Sequence, residues 1–201
     1  MVRRRLEAGS DDVRAALFEK TKAYRQFRAE LGTFLSERFG AVCSEKCFQS
    51  RLSACCAKDG ILTFFGDQVV NVLVSTPLEL DRLVVALHRS NSGYKCVYLS
   101  TQGCIWKIKP IVCEMFLCDA AKNDVFEKHP EAAQIWECFL HRRKGFTWPD
   151  HPVLFDFLEQ YFIDRGETSP LMYLHNSPGL LRVKEKAKEA GKNGTDAIRK
   201  N

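Results

Sequence analysis

Apolar positions between residues 11 and 39 recur at intervals of three, four and seven: Val13, Leu17, Tyr24, Phe27, Leu31 and Phe34. That period predicts one amphipathic helix, opened by Ser10 as a cap and stopped by Gly40, with its aromatics packed in a core. A second helix is written into STPLELDRLVVALHRS at 75–90. Thr76 stands at the N-cap, Pro77 at the first helical position and Glu79 where a reciprocal capping box needs it, with Leu80, Leu83, Val84 and Leu87 on one face. Between the two, GILTFF at 60–65 and QVVNVLVST at 68–76 are rich in β-branched and aromatic residues and predict short strands. KCVYLSTQGCIWKI at 95–108 reads as a hairpin turning near Gln102 and Gly103.

Three further helical segments follow. One starts at Pro130 and runs through Ile135, Trp136 and Phe139; one starts near Pro152 and runs through Leu154, Phe157, Leu158 and Tyr161; one is opened by Ser177 and Pro178. No internal repeat is present. The expected fold is mostly α with a small β element, a single domain at 1–184 organised around a cysteine metal cluster. Within it, 11–40 is the N-terminal helix, 41–120 the cysteine-cluster core and 121–184 the C-terminal helices. From Lys184 onward apolar residues give way to Lys, Glu, Gly and Asn, so 185–201 is expected to be a basic flexible tail.

Bulk composition narrows the classes. At 201 residues, 45% hydrophobic and 27% charged, the chain can fill one core and hardly two. The net charge of +5 comes partly from RRR at 3–5 and from the C-terminal segment. Away from the ends basic and acidic residues are interspersed, which is not the one-sided basic face of a nucleic-acid binder. No apolar run reaches the roughly 20 residues of a bilayer span, and MVRRRLEAGSDD lacks the apolar centre of a signal peptide, so a cytoplasmic protein is expected.

Compartment changes what nine cysteines mean. In a secreted mini-protein they would imply disulfides; in a reducing compartment they imply metal or redox chemistry. Eight of them fall in an ordered series: Cys43 and Cys47 as CxxxC, Cys55 and Cys56 as CC, Cys96 and Cys104 flanking the hairpin, and Cys113 and Cys118 as CxxxxC. A thiolate site needs two to four sulfurs close together around each ion, and short spacers reduce the entropy of gathering them. Cys43 and Cys47, four apart, would share one face of a helical turn. Cys138, inside AAQIWECFLHRR, reads instead as a small packed hydrophobe. Structural zinc sites repeat CxxC knuckles, which this chain lacks, whereas iron–sulfur clusters accept varied spacings under an apolar shield. Ile105, Trp106, Ile108, Ile111, Val112, Met115, Phe116 and Leu117 could form that shield, and equally could be plain core. An iron–sulfur cluster is therefore preferred, with zinc as the alternative.

The cysteine order resembles the YkgJ-like cysteine-cluster family, described as zinc- or iron-chelating. Members carry an N-terminal cluster ending in CC and later a stretch of the type CxIYxxRPxxCR followed by another Cys. Cys55 and Cys56 match the first; Cys104, Ile105, Trp106, Lys109, Pro110 and Cys113 match the second, with Trp for Tyr and Lys for Arg; Cys118 corresponds to the late cysteine. The resemblance spans 43–118. CxxxC replaces CxxC, seven residues precede the CC, and the second motif is one residue shorter. It implies a metal or iron–sulfur binding protein whose activity is mostly unassigned. The first function reading is electron transfer or metal and cluster handling, with a redox or protein partner. Flagellin lysine methylases are similar in their cysteine region, so a cluster-containing transferase is a second reading, and a structural zinc module for protein interaction a third.

Around the second motif, Pro110 would fix a turn that aims Cys104 and Cys113 at one centre while IVCEMFL begins a helix. Lys109 could offset thiolate charge, although a solvated lysine reads as well. Catalytic motifs are not evident: there is no Gly-rich phosphate loop and no HExxH, and His88, His129, His141, His151 and His175 are scattered.

Overall fold

A computed structural model describes residues 1–43, 63–91, 93–100, 103–147, 151–172, 177 and 179–187. Within these the chain is mostly helical with a small two-stranded antiparallel sheet. The order is α1 (Val2–Glu7), α2 (Asp11–Lys20), α3 (Lys22–Ala41), α4 (Phe65–Val74), α5 (Pro77–Leu87), β1 (Leu99–Ser100), β2 (Gly103–Cys104), α6 (Ile111–Glu114), α7 (Asp119–Lys128), α8 (Pro130–Thr147) and α9 (Leu154–Ile163), with a last helical stretch at 179–187. No helix among them is long and apolar enough to cross a membrane.

Two compact units divide the chain: Met1–Thr63 with Asp67–Phe139, and Phe64–Gly66 with Leu140–Asn201. In the first, α3 carries the aromatic stripe read from the sequence. Tyr24, Phe27, Leu31 and Phe34 are all buried. Phe34 lies 5.3 Å from Phe139 and 6.4 Å from Trp136 of α8, ring centre to ring centre, and Phe39 meets the edge of Phe126 of α7 at 5.7 Å. A smaller cluster joins Leu83 and Ala86 of α5 to Tyr98 and Trp106, whose rings are perpendicular at 5.4 Å. The second unit is built on α9. Phe155, Leu158 and Phe162 are fully buried, with Phe64 against Phe155 and Phe65 against Phe162.

Several sequence expectations are corrected here. The helix expected over 11–39 is two helices broken at Thr21, whose hydroxyl donates to the Phe18 carbonyl at 2.9 Å and competes with the helical ladder. Gly40 does not stop α3, which continues to Ala41. QVVNVLV is not a strand but most of α4, because Asp67, Val69, Val70, Asn71 and Leu73 are all buried at helical intervals. A short apolar run buried on more than one side carries no period to separate the two forms. Of GILTFF, 60–62 lie outside the described residues and Phe65 opens the helix.

On α5 the capping box forms as read, yet its buried face is Leu83 and Ala86, while Val84 and Leu87 are exposed. Helices α1 and α7 had no counterpart in the sequence reading. Cys138 is exposed on α8 rather than packed. The stretch at 179–187 runs past the boundary drawn at 184, and its Lys184 is buried; residues 188–201, most of the expected tail, lie outside the described residues.

Candidate metal centre

The second cysteine motif begins at a hairpin. Leu99 pairs with Cys104 and Ser100 with Gly103, whose φ of 98° is a backbone state glycine adopts without strain. Ile105 N donates to Tyr98 O at 2.9 Å, so the pairing continues one residue past Cys104. Pro110, with φ −51° and ψ 136°, then caps the one-turn helix α6, which holds Cys113 at its third position. Cys118 occupies the N-cap position of α7 with extended backbone. Pro110 thus stands at the start of a helix that opens with IVCE, the first residues of the expected IVCEMFL helix.

Residues 108–114 are held by side chains from α3 and α4. Asn71 grips Ile108 from both sides: its Nδ2 donates to Ile108 O at 2.6 Å and its Oδ1 accepts from Ile108 N at 3.1 Å. Asp67 Oδ1 accepts from Ile111 N at 3.1 Å and from the Tyr24 hydroxyl at 3.2 Å. Arg28 does most. Its Nη2 donates to Lys109 O at 2.6 Å and to the Glu114 carboxylate, its Nε reaches the same carboxylate at 3.0 Å, and its Nη1 donates to the Tyr24 hydroxyl at 2.6 Å. Asp67 stands 3.8 Å from the guanidinium, and the Arg28 and Asp67 side chains are only 2% and 1% exposed.

Burial of a guanidinium disfavours its charged form. Here it lowers the affinity for the proton, but Tyr24, Glu114 and Asp67 more than offset it, and the Arg28 pKa rises. Tyr24 is pushed well above its ordinary 10, first by burial and then by the Asp67 charge. Sequence reading left Glu114 without a role and passed over Arg28, Asp67 and Asn71. One signal was available: Arg28 sits on the apolar stripe of α3, four residues from Tyr24 and three from Leu31, and charged groups take core positions only when paired.

Of the eight cysteines expected to bind metal, Cys43, Cys96, Cys104, Cys113 and Cys118 are partly buried; Cys47, Cys55 and Cys56 lie outside the described residues. Cys96 and Cys104 pack against the same Tyr98–Trp106 cluster, and Tyr98 N donates to Cys96 Sγ at 3.4 Å. Burial raises the Tyr98 phenol to about 12, aided by the two neighbouring cysteines. Cys43 lies two residues past the end of α3. Among the described residues, no three or more of His, Cys, Asp and Glu come together as metal ligands.

The partly buried cysteines of the second motif are the residues that could hold a soft metal. Sulfurs half-shielded by apolar side chains are the surroundings that thiolate-bound metals take, and Trp106 Nε1 is buried without a hydrogen-bond partner beside two of them. Of the proposed shield, Trp106, Ile111 and Met115 are buried, whereas Phe116 is 49% exposed. Lys109 is exposed, and it is its carbonyl that is engaged.

No family model matches the chain, and neither does any curated protein or solved structure.

Proposed function

We propose that this chain is a metal-binding protein whose cysteines hold an iron–sulfur cluster, or failing that zinc, and that it acts in electron transfer or in handling metal or clusters. The likeness to the YkgJ-like cysteine-cluster family belongs to the same proposal and rests on the motif cysteines. One observation supports it above the rest. The segment carrying Lys109, Pro110 and Cys113 is anchored by three buried polar side chains, Arg28, Asp67 and Asn71, a heavy investment for a surface connection. Cys43, Cys47, Cys55, Cys56, Cys96, Cys104, Cys113 and Cys118 are the ligands proposed. The deciding experiment is metal and acid-labile sulfide content per chain after purification without oxygen. Iron with sulfide and a brown colour is the expected result; stoichiometric zinc without sulfide would replace the cluster by a zinc site, and neither metal would sink the reading.

A further inference from the structure

We propose that Arg28 is a positioning residue for Cys113, setting that cysteine before any metal is bound. The inference rests on reading Cys113 as a ligand. Helix α6 spans four residues, too few to hold its own shape, since a single turn fixes several dihedral angles for one hydrogen bond. What orients Cys113 must come from outside the turn. The Arg28 fork supplies it from both sides: Nη2 takes the Lys109 carbonyl just ahead of Pro110, and Nη2 and Nε both donate to the carboxylate of Glu114, next to Cys113. Asp67 fixes the first amide of the turn through Ile111 N, and Asn71 fixes Ile108. Arg28 itself is kept in place by Tyr24, one turn earlier on α3. A lysine would keep the charge but could not reproduce the fork.

Two readouts on the full-length chain separate positioning from simple core filling. The first is zinc affinity of metal-free protein, measured by competition with a chromophoric chelator. Arg28→Lys should bind zinc about 10- to 100-fold more weakly, the usual effect of removing a group that orients a ligand. The paired change Arg28→Met with Glu114→Leu removes both partners of that ion pair but still takes the cation from buried Asp67, so it should melt below the parent and above Arg28→Met alone. At a temperature where this variant is folded its zinc affinity should still be low, and parental affinity there would overturn the proposal.

The second readout needs no metal. In chelator-treated protein, iodoacetamide should modify Cys113 about tenfold faster in Arg28→Lys than in the parent, because the turn opens more often. Exposed Cys138 is the internal reference, and Cys96 and Cys104, which the clamp does not touch, should keep their parental rates. Equal Cys113 rates in the two proteins would also overturn the proposal. A parent that binds neither zinc nor iron refutes the metal reading alone, and the alkylation rates then decide whether Arg28 positions Cys113.

Discussion

Gly66 lies against the ring of Phe155 so closely that a Cβ on it would fall 2.5 Å from both Cγ and Cδ1. Phe155 is fully buried and cannot swing aside without disturbing its neighbours. Gly66→Ala should therefore destabilise the chain by about 1–3 kcal/mol, the range for overpacking a filled core. Thermal melting checks it. Phe155→Leu placed on top should cost less in the Gly66→Ala background than in the parent, a coupling expected of residues in contact.

Thr76 and Glu79 cap α5 reciprocally: Thr76 N donates to Glu79 Oε2 at 2.8 Å, and Glu79 N donates to the Thr76 hydroxyl at 3.3 Å. Thr76→Ala should cost about 1 kcal/mol, and Thr76→Ser very little. The backbone donor at Thr76, and then Lys107, hold the Glu79 carboxyl below its ordinary 4.5. A lowered acid stabilises the fold above its unfolded value and loses that contribution as pH falls through the folded one. The melting difference between the parent and Glu79→Gln should accordingly shrink as pH falls below 4.5 and vanish once it passes the folded value.

Tyr24 should ionise well above pH 10. Its folded pKa is raised above 10, so the contribution is complete below pH 10 and is lost as pH climbs through the folded value. An absorbance titration near 295 nm should show a late component shared by Tyr24 and Tyr98 that shrinks by one tyrosine in Tyr24→Phe. A step at pH 10 from this residue would mean that its hydroxyl is open to water.

Lys184 pairs with Asp156, the two side chains being 7% and 8% exposed, while the same Asp156 carboxylate accepts from Val153 N at 2.9 Å. Removing the lysine leaves a buried carboxylate without its cation, so Lys184→Ala should destabilise by about 3 kcal/mol. Ending the chain after residue 183 should do at least as much. Unchanged melting in either protein would show that 179–187 is not docked.

Cys113 and Cys138 should behave oppositely. Cys138 is exposed, so Cys138→Ser should change stability by no more than about 0.5 kcal/mol and leave bound metal untouched. Cys113→Ala should empty or badly weaken the site, and lower the melting temperature through the coupling of binding to folding. Metal analysis of both beside the parent decides it; full metal in the Cys113 variant would remove that residue from the ligand set.

Features legible in the sequence are those whose cause is local. The Thr76–Glu79 cap, the Pro110 start of α6, the apolar stripe of α3 and the hairpin before Cys104 each depend on residues within a few positions of one another. Propensity, capping and period act over that range. The tertiary structure decided what depends on distant neighbours. Whether QVVNVLV becomes helix or strand is settled by what surrounds it, since valine packs in either and five of its seven residues are apolar. Cys138 turned outward because α8 buries Trp136 and Phe139 instead. Above all, Arg28 and Glu114 stand 86 residues apart, and nothing near either one names the other. A buried charge needs a partner, which the sequence can state; only the folded chain, by bringing α3 against the Lys109–Glu114 segment, selects which carboxylate that partner is.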